Sequence, residues 1–169
     1  MDIGKITFLL NDEPVTIYAD PAESLLHLLR DQLGCMSPKE GCGRGECGAC
    51  TVILDGKAVN SCLVPAGKAA GKNIRTIEGI SDGKSVHPLQ RAFVEKGAVQ
   101  CGFCTSGMIM SAYALLAENP APRQEEVKRA ISGNLCRCSG YKQIEEAIMT
   151  AAEEMNENRV RFVEKGQKE

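Results

Sequence analysis

The chain has 169 residues, 43% of them hydrophobic, with 20 basic against 22 acidic side chains and a net charge of −2. That length allows one mid-sized or two small domains; the even charge balance, with no basic stripe and no acidic run, excludes a nucleic-acid partner and a polyanionic tail. No stretch is apolar for long enough to span a membrane, and the short N-terminus MDIGKITFLL lacks the charged and apolar regions of a signal peptide. The expected location is therefore the cytoplasm, where nine cysteines point to metal binding rather than to disulfides.

In chain order, Ile6 to Leu10 and Val15 to Tyr18 read as strands, with Asn11-Asp12-Glu13-Pro14 as the turn between them. Ser24 is suited to cap a helix from Leu25 to Leu33, with Gly34 as its stop. A glycine-rich loop follows, from Gly41 to Gly48. Thr51 to Leu54 and Lys57 to Val59 form a second hairpin through Asp55-Gly56. Ile74 to Ile77 is a further short strand. Strands with one helix packed across them predict a small α+β unit of the β-grasp kind over residues 1–80.

Ile80-Ser81-Asp82-Gly83-Lys84 reads as a linker. Beyond it the pattern is helical. Pro88 suits a first helical position, with Leu89, Ala92, Phe93 and Lys96 following at helical spacing before Gly97. Thr105 to Glu118 is a second helix, ended by Asn119-Pro120; Gln124 to Ser132 is a third, stopped by Gly133. Tyr141 to Met155 is a fourth, with Ile144, Ala147, Ile148 and Ala151 on one face. These four predict an all-α bundle over residues 84–155. The segment 156–169 is polar and reads as a frayed tail.

Eight cysteines fall into two quartets. The first, Cys42, Cys47, Cys50 and Cys62, is spaced C-x4-C-x2-C-x11-C. Four thiolates hold one [2Fe–2S] cluster, and C-x4-C-x2-C with a later cysteine is the plant-type ferredoxin spacing. The interleaved glycines let the backbone wrap an inorganic core and aim N–H groups at the sulfurs. A two-residue turn at Asp55-Gly56 places residue 50 opposite residue 61, so Cys62 lies within reach of the same site. Zinc also takes four thiolates, but its knuckles repeat C-x2–4-C in pairs, unlike this loop. The second quartet, Cys101, Cys104, Cys136 and Cys138, is spaced C-x2-C-x31-C-x-C. Both of its pairs precede helices, whose N-termini favour an anionic group. On spacing alone this quartet suits either zinc or a cluster.

Lys39-Glu40-Gly41-Cys42, Gly45-Glu46-Cys47-Gly48-Ala49-Cys50-Thr51-Val52, Gln100-Cys101-Gly102-Phe103-Cys104-Thr105 and Gly133-Asn134-Leu135-Cys136-Arg137-Cys138 together resemble the small iron–sulfur subunit of the molybdenum hydroxylases, the xanthine dehydrogenase, aldehyde oxidoreductase and carbon monoxide dehydrogenase family. The resemblance covers roughly residues 3 to 155. It implies a plant-type [2Fe–2S] ferredoxin domain followed by a four-helix domain with a second [2Fe–2S] cluster. It further implies a large molybdopterin-binding subunit, with a medium FAD-binding subunit, for partners. Electrons then run from a molybdenum–pterin centre to the helical-domain cluster, to the ferredoxin-type cluster and to FAD. Gln100 and Cys138 match residues that approach the pterin in this family. One departure is visible: many members carry proline after C-x2-C-T where this chain has Ser106, which implies a looser start to that helix.

The remaining chemistry-bearing residues have plainer readings. Cys35 stands outside both quartets and reads as a small buried apolar residue. His27 and His87 read as surface or capping residues, because four thiolates already complete each site. Met108 and Met110 read as core. No catalytic triad, nucleotide loop or carboxylate pair stands out, so the chain carries electron-carrying sites and no substrate site. The reading as an electron-transfer subunit has two rivals, a free-standing two-cluster ferredoxin and a structural zinc protein; the first is disfavoured because a diffusing carrier needs no built-in relay.

Overall fold

The computed structural model describes residues 3–81, 83 and 85–157 in full and 158–166 as helical backbone. The linker positions Asp82 and Lys84 lie outside the described residues. Five strands make one mixed sheet: β1 (Gly4–Leu10), β2 (Glu13–Ala19), β3 (Thr51–Leu54), β4 (Lys57–Asn60) and β5 (Asn73–Arg75). Their order across the sheet is β2-β1-β5-β3-β4. β5 runs parallel to β1 and antiparallel to β3, so this three-residue strand joins the two hairpins.

The first hairpin pairs Leu10 with Glu13 across a two-residue turn. Asn11 and Asp12 both take positive φ, 53° and 69°, the conformation a tight hairpin turn demands and these two residue types tolerate. Ile6, Phe8 and Leu10 alternate inward from β1. They meet Leu25, Leu28 and Leu29 from the crossing helix, together with Val52 and Ile74. Ser24 caps that helix as expected, its Oγ accepting the His27 N–H at 3.2 Å. The regular helix α1 is short (Leu25–His27) and opens into a wider π-helical turn at Leu28–Gln32. Leu25, Leu26, Leu28 and Leu29 are all fully buried. Leu33 N–H reaches back to the Leu28 carbonyl, which marks the wide turn.

Four further helices follow: α2 (Pro88–Glu95), α3 (Thr105–Glu118), α4 (Gln124–Ile131) and α5 (Lys142–Gly166). His87 caps α2 through Nδ1, with Pro88 at the first helical position. α3 is buried without interruption from Ser106 to Ala112, which makes it the central element. Ile144, Ala147, Ile148, Ala151 and Ala152 of α5 close the helical core with Leu89 and Phe93 of α2. Two expectations change. Tyr141 sits at φ 70° and delays the last helix by one residue. That helix continues past Met155 to Gly166, so the segment read as a frayed polar tail is helical up to that point, with Asn156 Nδ2 donating to the Pro120 carbonyl at 2.8 Å. Residues 167–169 lie outside the described residues.

The two cores touch along β3. Val52 packs into the sheet core, and its neighbour Ile53 packs into the helical core. Successive strand residues point to opposite faces. One strand therefore seals both halves, and no helix of the described residues is long and apolar enough to cross a membrane.

Candidate metal centres

The hairpin register is the one the spacing predicts. Thr51 pairs with Asn60, so residue 50 faces residue 61. The Cys50 carbonyl accepts both the Ser61 N–H at 3.3 Å and the Ser61 hydroxyl at 2.7 Å. Ser61–Leu63 then forms a single tight turn that swings Cys62 back towards the loop. The thiols of Cys50 and Cys62 meet there. In the loop itself Cys42 and Cys47 meet in the same way.

The loop backbone is wrapped round a sulfur. Cys42 Sγ accepts the Glu46 N–H at 3.3 Å and the Arg44 N–H at 3.5 Å. These N–H groups of Arg44, Cys47 and Glu46 draw the Cys42 thiol down to about 6. Cys62 moves the other way, pushed up to about 11 by burial and by the Cys50 thiol beside it. A ring of N–H donors round one thiol and a desolvated thiol on the far side together suit an anionic, sulfur-rich group.

In the second quartet Cys138 Sγ and Cys101 Sγ lie 3.8 Å apart, while Cys104 meets Cys136. Cys104 is the N-cap of α3, as expected. Cys136 and Cys138 are not at a helix terminus: Ser139, Gly140 and Tyr141 stand between Cys138 and α5. Cys136 Sγ is served instead by the Ser139 N–H at 3.4 Å and the Ser139 hydroxyl at 3.1 Å. Burial alone would raise Cys136, and these hydrogen bonds outweigh it and lower it. Burial pushes Cys104 up to about 12, with Cys136 adding to the effect. Metal binding at that thiol must therefore expel a proton that the free site holds firmly.

Within each quartet the thiols thus act on one another: Cys62 feels both Cys50 and Cys42, and Cys104 feels both Cys136 and Cys101. Among the described residues no three His, Cys, Asp or Glu side chains are grouped to hold a single metal ion. A two-iron core is wider than one ion and takes four thiolates in all, the number that each quartet offers. The donor chemistry fits that group.

Beyond the thiols, the surroundings place Gln100 and Ser106, which the sequence singled out, beside Tyr141 and Asn134, to which it gave no separate role. Gln100 Nε2 donates to the Cys138 carbonyl at 3.1 Å, which brings together the two residues expected near a partner's cofactor. Tyr141 straps the second site: its hydroxyl accepts the Cys136 N–H at 3.0 Å and donates to the Asn134 carbonyl at 3.3 Å. Ser106 does not loosen α3. Its buried hydroxyl donates to the Ser37 carbonyl at 2.6 Å and ties the helix start to the segment before the first loop. Ser37 in turn is held by the Glu78 carboxylate, through its hydroxyl and its N–H. Asn134 is almost fully buried between the two quartets. Only its place beside the C-x-C motif could have drawn attention to it.

Cys35 is buried and belongs to the sheet core, as expected, with burial raising its thiol. His27 lies on the surface, 3.3 Å from Glu40. Met108 and Met110 belong to the helical core.

Residues 8–75 match the 2Fe-2S iron-sulfur cluster binding domain family, and residues 76–149 match the [2Fe-2S] binding domain family. The chain is 50% identical over 153 residues to the nicotinate dehydrogenase small FeS subunit of Eubacterium barkeri, covering 89% of this chain and 98% of that one. It is 48% identical over 150 residues to the nicotine 6-hydroxylase small subunit of Paenarthrobacter nicotinovorans, covering 89% and 90%. Its fold superposes on a chain of quinoline 2-oxidoreductase from Pseudomonas putida 86 with a TM-score of 0.86 and 44% identity, over 89% of this chain and 94% of that one. With an α+β architecture, two successive [2Fe–2S] binding domains and near full-length identity to such subunits, the chain belongs to the small iron–sulfur subunits of the molybdenum hydroxylase family.

Proposed function

We propose that Cys42, Cys47, Cys50 and Cys62 hold one [2Fe–2S] cluster and that Cys101, Cys104, Cys136 and Cys138 hold a second. The observation that carries this reading is that the fold brings each quartet together: backbone N–H groups of the first loop ring Cys42 Sγ while the hairpin register returns Cys62 towards Cys50, and Cys101 Sγ lies 3.8 Å from Cys138 Sγ. Each quartet would supply the four thiolate ligands of one two-iron cluster. When bound, each cluster supplies a one-electron carrier. The chain is the electron-transfer subunit of an oxidoreductase, and its substrate is turned over on another subunit.

The protein's own part is to hold these sites at fixed places and to present one of them to a partner. Cys101 and Cys138 are exposed, and Gln100 is exposed beside them. That face is the one offered to the molybdopterin-binding subunit, with Gln100 and Cys138 nearest the pterin. The first loop, with Arg44 and Glu46 exposed, is the one offered to an FAD-binding subunit. The division of labour follows the β-grasp unit of residues 1–80 and the four-helix unit of residues 84–155, with the complex in the cytoplasm. Relatives named for nicotinate, nicotine and quinoline make an N-heterocyclic aromatic the substrate class we favour for the complex. A free-standing carrier is not favoured, because these relatives are subunits of larger enzymes.

Iron and sulfide analysis of the purified complex tests the assignment: about four of each per copy of this chain are expected from two quartets. Gln100→Ala should slow reduction by substrate more than reduction by dithionite. An iron content of only two in fully loaded material, or an equal effect of Gln100→Ala on both reductants, would overturn it.

A further inference from the structure

Three segments meet between the two quartets. Gly48 follows Cys47 in the first loop, Gly107 lies within the first turn of α3 beyond Cys104, and Asn134 stands two residues before Cys136. Asn134 is only 3% exposed, and its side chain is engaged at both ends. Nδ2 donates to the Gly48 carbonyl at 2.9 Å and to Thr51 Oγ at 3.3 Å, while Oδ1 accepts the Ser111 hydroxyl at 2.7 Å. A Cβ placed on Gly107 would lie 2.2 Å from the Gly48 carbonyl oxygen. The helix backbone therefore rests directly on the loop backbone, with no side chain between them. Beside this contact the Leu135 N–H donates to the Cys47 carbonyl at 2.9 Å.

This last bond has a particular place in the chain. From Cys47 Sγ the covalent path runs through its own carbonyl, crosses that single hydrogen bond to Leu135, and continues along the backbone into Cys136. One hydrogen bond thus separates a thiol of the first quartet from a thiol of the second. The buried amide of Asn134 holds both sides of it. A fully satisfied buried network of this kind selects one arrangement, because any shift leaves a donor or acceptor without a partner in a dry site.

We propose that Asn134 is a positioning residue which, against Gly48 and Gly107, fixes the separation of the two quartets and maintains the Leu135–Cys47 hydrogen bond as the through-bond link for electron passage between them. The inference rests on the relay reading given above. In the step one site is oxidised by one electron as the other is reduced by one; no bond is made or broken and no proton moves.

The test uses the full chain in its complex, as Asn134→Ala, Gly107→Ala and Ser111→Ala. Iron and sulfide content and both reduction potentials are measured first. The low-temperature magnetic splitting between the two reduced centres and the rate of electron equilibration between them after a reducing pulse are measured next. Content and potentials should match the unsubstituted protein. The splitting should change and equilibration should slow several-fold in Asn134→Ala and Gly107→Ala, with a smaller effect in Ser111→Ala, which removes only the outer hydrogen bond. Unchanged splitting and rate in Asn134→Ala and Gly107→Ala would overturn the proposal. If Asn134→Ala or Gly107→Ala fails to assemble, Ser111→Ala, which removes one hydrogen bond and adds no atom, decides by the same two readouts, and its splitting and rate staying unchanged would overturn the proposal. An unsubstituted chain with fewer than two iron–sulfur centres would instead overturn the relay reading itself.

Discussion

Gly48→Ala and Gly56→Ala make a matched pair, because both glycines sit in the left-handed region, at φ 67° and 82°. A Cβ at Gly56 would find nothing within 4 Å. Its replacement therefore costs only the left-handed backbone penalty, about 1–2 kcal/mol. A Cβ at Gly48 would lie 2.4 Å from the Gly133 carbonyl oxygen and 2.5 Å from Asn134 Nδ2. The first of these is backbone and cannot rotate away, so the Gly133 to Leu135 segment must retreat. That retreat breaks the Asn134–Gly48 and Leu135–Cys47 hydrogen bonds, both 2.9 Å. At about 1 kcal/mol for each bond, the expected cost of Gly48→Ala is about 3–4 kcal/mol, roughly twice that of Gly56→Ala. Against a typical stability of about 5–15 kcal/mol the difference is large enough to resolve. Denaturant unfolding of the metal-loaded chain reads it as a midpoint shift at constant slope. Equal shifts for the two substitutions would refute the argument that the loop and the Gly133 to Leu135 segment are in obligatory contact.

Cys42→Ser and Cys136→Ser each remove one proposed ligand, and each should lower iron by about two per chain while leaving the other centre's spectrum in place, since each site has its own four thiolates; loss of both centres in either variant would contradict separate quartets. Ser106→Ala removes the hydroxyl that donates to the Ser37 carbonyl, and unfolding midpoints should report a loss of about 1 kcal/mol. Burial holds the His87 imidazole below its usual value, against the opposing pull of Glu154. The unfolded chain then binds the proton more readily, so this contribution to stability is full above about pH 6.5 and is lost as the pH falls below it. His87→Asn keeps a competent helix cap without the titration, and its unfolding midpoint should decline less steeply on acidification; an unchanged pH slope would exclude His87 as a source.

Local signals were legible wherever a residue acts on its own neighbourhood. The Ser24 cap, the Asp55-Gly56 turn with its register and the span of α3 could be read because each depends on a few adjacent residues. The register placed residue 61 opposite residue 50, and the Ser61–Leu63 turn then carries Cys62 back towards the loop. What could not be read depends on partners far along the chain. Asn134 gains its role from Gly48, which lies 86 positions away. Ser106 looked like a defect because the hydroxyl's acceptor, Ser37, lies 69 positions away. The C-x-C pair was expected at a helix start, but Tyr141 takes a left-handed turn to reach Cys136 and Asn134, and this displaces the helix. The wide turn after α1 follows from four leucines that all require burial, a demand of packing rather than of helix propensity.

β3 has a consequence for anyone who would divide or recombine this chain. Because Val52 and Ile53 serve opposite cores, a fragment ending near residue 80 would bare Ile53 and the carbonyl of Gly48 to water, and a fragment beginning there would lack the strand that closes α3. Neither piece is a finished surface. Grafting the helical half of one relative onto the sheet half of another therefore means matching Ile53, Gly48 and Thr51 to the incoming α3 and Asn134. The natural seam for exchange runs along those contacts, well inside the first half of the sequence, and not at the linker where the chain is easiest to cut.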